Sequence, residues 1–195
     1  MLLKDSIYCA IGLAAPVLDQ YPEFNFGSFL DNTLAQEVQI SRPGYNILHR
    51  RAAIVLGQWL PVCEGLNRPL VYQIFQHLLD GSDRSNDKLV RITSGRQLKN
   101  VIEPFEFTAE SFMPYASTTL GRLMALIEEV NLTETKLALL ITLSAIVTRL
   151  EQNVKSTSIR PCTQLMLMDG RLPPLQTKSF RYFLHCGIRL AKSTS

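Results

Sequence analysis

Leu48-His49-Arg50-Arg51-Ala52-Ala53-Ile54 is the stretch on which the fold turns. It sets basic residues at the rim of an apolar helical segment. Related stretches return at Lys88-Leu89-Val90-Arg91-Ile92-Thr93-Ser94 and at Thr135-Lys136-Leu137-Ala138-Leu139-Leu140-Ile141. On either side of them, apolar residues recur at three- and four-residue spacing, the period of helices and not of strands. The spacing predicts helices over about Lys4–Leu18, Phe26–Ile40, Asn46–Val62, Asn67–Leu79, Asp87–Ile102, Ala109–Val130 and Thr133–Asn153. Pro22 closes the first helix, Ser41-Arg42-Pro43-Gly44 reads as a turn, and Pro69 is tolerated in a first turn. Asn46, Thr108 and Thr133 are the expected N-caps.

The odd-numbered helices begin near residues 4, 46, 87 and 133, at intervals of 42, 41 and 46 residues. A helix pair recurring every ~40–47 residues is the interval of HEAT and armadillo arrays. One such pair cannot bury its apolar face alone, so pairs stack into a superhelix. The expected fold is therefore all-α: an α-solenoid of about three and a half HEAT-type helix pairs over residues 1–153. An ordinary helical bundle is the alternative that spacing alone leaves open. The apolar start and the lack of polar capping repeats read as a piece of a longer array.

Composition agrees with a folding chain: 46% of the 195 residues are hydrophobic and 19% charged. The net charge of +3 divides unevenly. Residues 1–153 carry 13 Lys/Arg against 16 Asp/Glu, and residues 154–195 carry 7 Lys/Arg against Asp169 alone. Residues 154–195, with Pro161, Gly170 and Pro173-Pro174, read as a divergent basic tail. Cys9, Cys63, Cys162 and Cys186 lie 54, 99 and 24 residues apart, too far for a CxxC unit, and are expected as reduced thiols. The longest apolar run outside the amino-terminal helix, Leu137–Val147, is shorter than the ~20 residues of a membrane span. The start has the outline of a signal peptide, with Lys4 ahead of an apolar run from Ile7 to Leu18, but Asp5 opposes that reading.

Nothing points to catalysis. The three histidines, His49, His77 and His185, are not at metal-ligand spacing with acids, and no GxSxG, P-loop or GxGxxG sequence occurs. Neither a metal nor another cofactor is expected. Glu128-Glu129 reads as a solvated face. Arg84, Lys88, Arg91, Arg96 and Lys99 form a basic cluster without interleaved aromatics, which is weak support for direct nucleic-acid binding.

Three further stretches carry a resemblance: Asp5-Ser6-Ile7-Tyr8-Cys9-Ala10-Ile11-Gly12-Leu13-Ala14-Ala15, Arg50-Arg51-Ala52-Ala53-Ile54-Val55-Leu56-Gly57-Gln58-Trp59-Leu60 and Phe105-Glu106-Phe107-Thr108-Ala109-Glu110-Ser111-Phe112-Met113-Pro114-Tyr115. In order and separation they resemble the central HEAT repeats of importin-eleven-type karyopherins, in the importin-beta superfamily. The resemblance covers residues 4 to about 153. It implies a nuclear transport receptor shared between cytoplasm and nucleus, which binds protein cargo, touches Phe-Gly nucleoporins at the pore and releases cargo on meeting Ran-GTP. The alternative is a HEAT scaffold that assembles other protein complexes.

In HEAT arrays the second helix of each pair lines the concave surface. With Leu70, Val71, Ile74, Leu78 and Leu79 inward, Tyr72, Gln73, Gln76, His77 and Asp80 are the expected outward residues for partner contact. Arg50-Arg51 and Arg91 are expected to link adjacent repeats. Trp59 is expected between the two helices of its own repeat, with a Phe-Gly pocket as the alternative role. Asp80, Asp83 and Asp87 are expected to be hydrated loop acids, which could otherwise meet a basic cargo signal.

Overall fold

The computed structural model describes residues 1–104 and 106–156, which form helices and connecting turns with no strand among them. The expectations about the segment after Ser156, including Cys162, Cys186 and His185, lie outside the described residues. The first predicted helix is split into α1 (Leu2–Leu13) and α2 (Ala15–Leu18). Pro16 accounts for the break: it has no N–H to donate, and its ring would strike a carbonyl one turn back in a continuous helix. The second predicted helix begins as α3 (Phe26–Phe29), widens into a π-helical stretch (Leu30–Leu34) and ends as α4 (Ala35–Glu37).

The rest follows the predicted order: α5 (Asn46–Trp59), α6 (Arg68–Leu78), α7 (Lys88–Ile102), α8 (Ala109–Glu129) and α9 (Thr133–Ser156). The stacking helices therefore begin at Leu2, Asn46, Lys88 and Thr133, close to the expected spacing. Asn67 caps α6, its side chain accepting from Leu70 N–H, and Asp87 caps α7 by accepting from Val90 N–H at 2.8 Å. Two expected caps are corrected. Tyr45 holds the N-cap position of α5, while Asn46 Nδ2 instead donates to Asp87 Oδ2 at 2.7 Å. The Thr108 hydroxyl turns to Ser111 Oγ and does not cap α8. Asp87 thus serves two helices, and Asp87→Ala is expected to cost about 1–2 kcal/mol, read as a lower urea midpoint at unchanged m.

The helices form two layers. In one, α1 packs on α5, α5 on α7 and α7 on α9; in the other, α6 packs on α8. This is the stacked helix-pair architecture of a HEAT-type array. One hydrophobic core runs through it, from Tyr8 and Phe26 through Trp59, Phe75 and Phe112 to Leu139 and Ile146. Each stacking helix brings a glycine to its successor. A Cβ on Gly12 would meet Gln58, one on Gly57 would meet Gln97, and one on Gly95 would lie 2.6 Å from Leu139 Cδ2. The missing side chain lets neighbouring backbones approach closely, at the usual cost of glycine in a helix.

Candidate functional site

The residues expected to meet a partner lie on α6, and α8 decides what each of them does. Tyr72 is buried, contrary to the expectation that it faces outward. Its ring meets Phe112 edge-on with centroids 5.1 Å apart, and Tyr115 lies 5.5 Å away. Burial raises its phenol pKa, the Ser111 hydroxyl opposing. The physical reason for its inward turn is that the next repeat's second helix covers this flank of α6, which a helical projection of one helix does not contain.

Gln73 is exposed, and Gln76, His77 and Asp80 are half-buried. All four take part in a polar seam. Gln73 Nε2 donates to the Tyr115 hydroxyl at 3.4 Å, and Gln76 Nε2 donates to the Tyr115 carbonyl at 3.0 Å. Arg122 donates to the Gln76 carbonyl at 2.6 Å and pairs with Asp80. His77 Nε2 stands 3.4 Å from Asp83 Oδ2 without hydrogen-bond geometry, and the His77 carbonyl accepts from Asn86.

The loop acids are structural rather than merely hydrated. Asp80 accepts from the backbone and hydroxyl of Ser82, which with Arg122 holds its carboxyl below the usual range. Burial would raise the Asp83 carboxyl, but Ser85 N–H and the Ser41 hydroxyl outweigh it and the net shift is down. For Asp87, burial is again outweighed, here by Val90 N–H and Asn46. Ser41 and Ser85 are engaged with Asp83 and each other, so neither hydroxyl is set against an imidazole base.

Arg51 joins adjacent repeats, as expected, whereas Arg91, expected to do the same, ties α7 to α8 within its own helix pair. Arg51 pairs with Asp5 through two nitrogens, at 2.6 and 3.2 Å. Arg91 binds Glu129 through two nitrogens, at 2.6 and 3.0 Å, and Lys88 joins the same carboxylate. Glu129 thus ties α8 to α7 within one helix pair and is not simply solvated. With Lys99 paired to Glu103, three members of the basic cluster have acidic partners. Arg68 reaches Glu106, and Arg149 donates to the carbonyls of Ile102, Glu103 and Pro104. Arg122, Glu106 and Arg149 were not singled out by sequence. Their signal was present in the separation of partners by 38 to 47 residues, close to one repeat.

Trp59 is fully buried, so it does not line a surface pocket. It stacks on Phe26 at 4.3 Å and lies 5.4 Å from Phe24, and its Nε1 donates to the Ile11 carbonyl. It therefore packs on the preceding repeat and not between the helices of its own. Cys9 and Cys63 are half-buried free thiols, and burial pushes the Cys63 thiol up to about 11, which makes it a poor nucleophile. Among the described residues there is no His/Cys/Asp/Glu cluster suited to a metal and no helix long and apolar enough to cross a membrane.

The junction carboxylates make the array sensitive to acid. Arg91 holds the Glu129 carboxyl below its usual value and Arg68 does the same for Glu106, while Asp80, Asp83 and Asp87 are lowered as described. A depressed folded pKa contributes stability that is fully present above the unfolded value and lost as pH falls through the folded one. The urea midpoint is therefore expected to be level near neutrality and to fall below about pH 4. Asp83→Asn is expected to flatten that fall.

Repeat-long polar junctions on a stacked helix array describe an architecture, and similarity supplies the family. The chain is 32% identical to human Importin-11 over 156 residues, which is 80% of this chain and 15% of that protein. Its relatives are proteins of the importin-beta family. Within that family, mouse Importin-11 is 31% identical over 156 residues, again 80% of this chain and 15% of that protein. The Importin beta-like protein KAP120 of Saccharomyces cerevisiae is 29% identical over 151 residues, 75% of this chain and 14% of its own. The chain thus spans about 15% of the length of the curated importin-beta relatives it matches. No protein-family model matches it, and neither does any solved structure.

Proposed function

We propose that the chain acts as part of a nuclear transport receptor that shuttles between cytoplasm and nucleus and binds protein cargo, Ran-GTP and Phe-Gly nucleoporins. The observation that carries this reading is the match to Importin-11 over 156 residues, about the length of the helical array. The mechanism is binding and not catalysis. Stacked helix pairs offer an extended surface, and small rotations at each junction add along the array. The seam between α6 and α8 is the proposed contact surface. There Gln73 is exposed, with Gln76, His77 and Asp80 beside it, while Tyr72 acts only by supporting them from beneath.

The test uses the purified 195-residue chain on three immobilised probes: a Phe-Gly repeat fragment, Ran loaded with GTP and Ran loaded with GDP. Retention on the Phe-Gly fragment and preference for Ran-GTP over Ran-GDP are expected. A photo-crosslinking side chain at position 73 is expected to trap cytosolic protein that Ran-GTP displaces. Loss of both retentions, with crosslinking unaffected by Ran-GTP, would favour the scaffold reading.

A further inference from the structure

We infer that the two loops leading into α5 and α7 form a docking surface for an acidic segment of a partner protein, read by Arg42, Arg50 and Arg84. In sequence the second of these loops looks acidic, with Asp80, Asp83 and Asp87 against Arg84. The structure reverses that, because the acids are used internally. Asp80 accepts from the backbone and hydroxyl of Ser82 and pairs with Arg122. Asp83 Oδ1 accepts from the Ser41 hydroxyl at 2.9 Å and from Ser85 N–H at 2.8 Å, and its Oδ2 stands 3.4 Å from His77 Nε2. Asp87 Oδ1 accepts from Val90 N–H and its Oδ2 from Asn46. Carboxylates filled in this way have few acceptor positions left for an incoming cation.

The arginines are the opposite case. Arg42, Arg50 and Arg84 are exposed, and among the described residues none of them pairs with a carboxylate, although Arg50 was expected to link repeats. They gather at one place. The Ser85 hydroxyl reaches Ser41 Oγ at 3.2 Å and the Arg42 carbonyl at 3.5 Å, so it ties the two loops together, and Arg84 is its chain neighbour. Arg50 lies one turn along α5 from Asn46, the partner of Asp87. The Asp87 carboxyl, which burial would raise, is lowered by Val90 N–H, by Asn46 and at longer range by Arg50. Three guanidinium groups thus stand on a platform held by its own hydrogen bonds. Each is a planar fork of donors that matches a carboxylate, and a preorganised surface loses little freedom on binding. Both loops lie between described helices, so this surface is not an end of the array. Residues 154–195, with 7 Lys/Arg against Asp169 alone, carry the same sign of charge and do not complement it. Tyr45, the aromatic residue of these loops, is half-buried with its ring edge-on to His49, so no exposed ring is offered for the base stacking that nucleic acid would use.

The experiment titrates the full 195-residue chain into a fluorescently labelled oligoglutamate peptide at low ionic strength and reads anisotropy. The peptide is expected to bind, to be released by added salt, and to bind far better than an oligoglutamine peptide of the same length. Replacing the three arginines together, Arg42→Gln, Arg50→Gln and Arg84→Gln, is expected to weaken binding about tenfold, the product of three exposed ion pairs. A control variant, Arg160→Gln with Arg171→Gln and Lys178→Gln, removes the same charge from the basic tail and is expected to stay within about twofold of wild type. Circular dichroism verifies that helix content is unchanged, and Arg84→Gln alone replaces the triple variant if it is not. A wild-type chain that ignores oligoglutamate overturns the inference. So does equal binding of oligoglutamine, or a loss in the tail variant that matches the loss in the loop variant. A single-stranded oligonucleotide that displaces the peptide, and is itself weakened by the loop variant, would make this a nucleic-acid surface and overturn it as well.

Discussion

Trp59→Ala is expected to lower the unfolding free energy by about 3–5 kcal/mol, the range for truncating a large buried aromatic. The indole is fully buried, and its plane lies within 3° of parallel to Phe26 at 4.3 Å, with Phe24 against it at 5.4 Å. These partners belong to the preceding helix pair, so the substitution opens a cavity across a junction rather than within one repeat. It also removes the Nε1 donor that satisfies the Ile11 carbonyl. Trp59→Phe keeps most of the ring contact and loses that donor, and is expected to cost about 1–2 kcal/mol. Urea unfolding at neutral pH measures both. A loss below about 1 kcal/mol for the alanine variant would contradict the packing described.

Gly95→Val is expected to cost about 3 kcal/mol, at the upper end for overpacking a close-packed site. A Cβ at this position would stand 2.6 Å from Leu139 Cδ2 and 3.1 Å from Leu123 Cδ1. Both leucines are themselves fully buried and have no open space to move into. Gly95→Ala is the more informative variant because two effects oppose. Alanine favours helix by about 1 kcal/mol, while its methyl collides with Leu139, and the collision is expected to win. When Leu139 is first shortened to alanine, the worst collision is gone, Leu123 at 3.1 Å gains the vacated space to shift into, and the same substitution is expected to stabilise. The double-mutant cycle therefore changes sign. No change in sign would mean that α7 and α9 do not approach as closely as the structure has them.

The helix starts set by local spacing agree with the structure. The starts at Asn46 and Thr133 fall where the periodicity put them, and the shift at α7 is one residue. Arg51 joins repeats, as its position at the rim of an apolar helix suggested, while Arg91 pairs with α8 of its own repeat. Departures occur where a second helix intervenes. Tyr72 looks outward on a projection of α6 alone, yet α8 covers it with Phe112 and Tyr115. Asn46 reads as a cap, but a carboxylate on the neighbouring helix competes for its amide. The α1–α2 break at Pro16 is a local signal, since a proline in the middle of an apolar run interrupts a helix whatever packs against it.

The sequence by itself determined the helical period, the repeat length and the alternation of stacking and covering helices, because these depend on local spacing and on each helix needing one apolar stripe buried. Only the tertiary structure decided which polar groups are tied up between helices and which stay exposed. Gln73 and Asp80 sit on the same helix, yet Asp80 is paired with Arg122 from 42 residues away and Gln73 is exposed. That difference comes from the lateral register of α8 on α6. Register is set by the sum of many close contacts across the two layers, and no single stretch of sequence contains that sum.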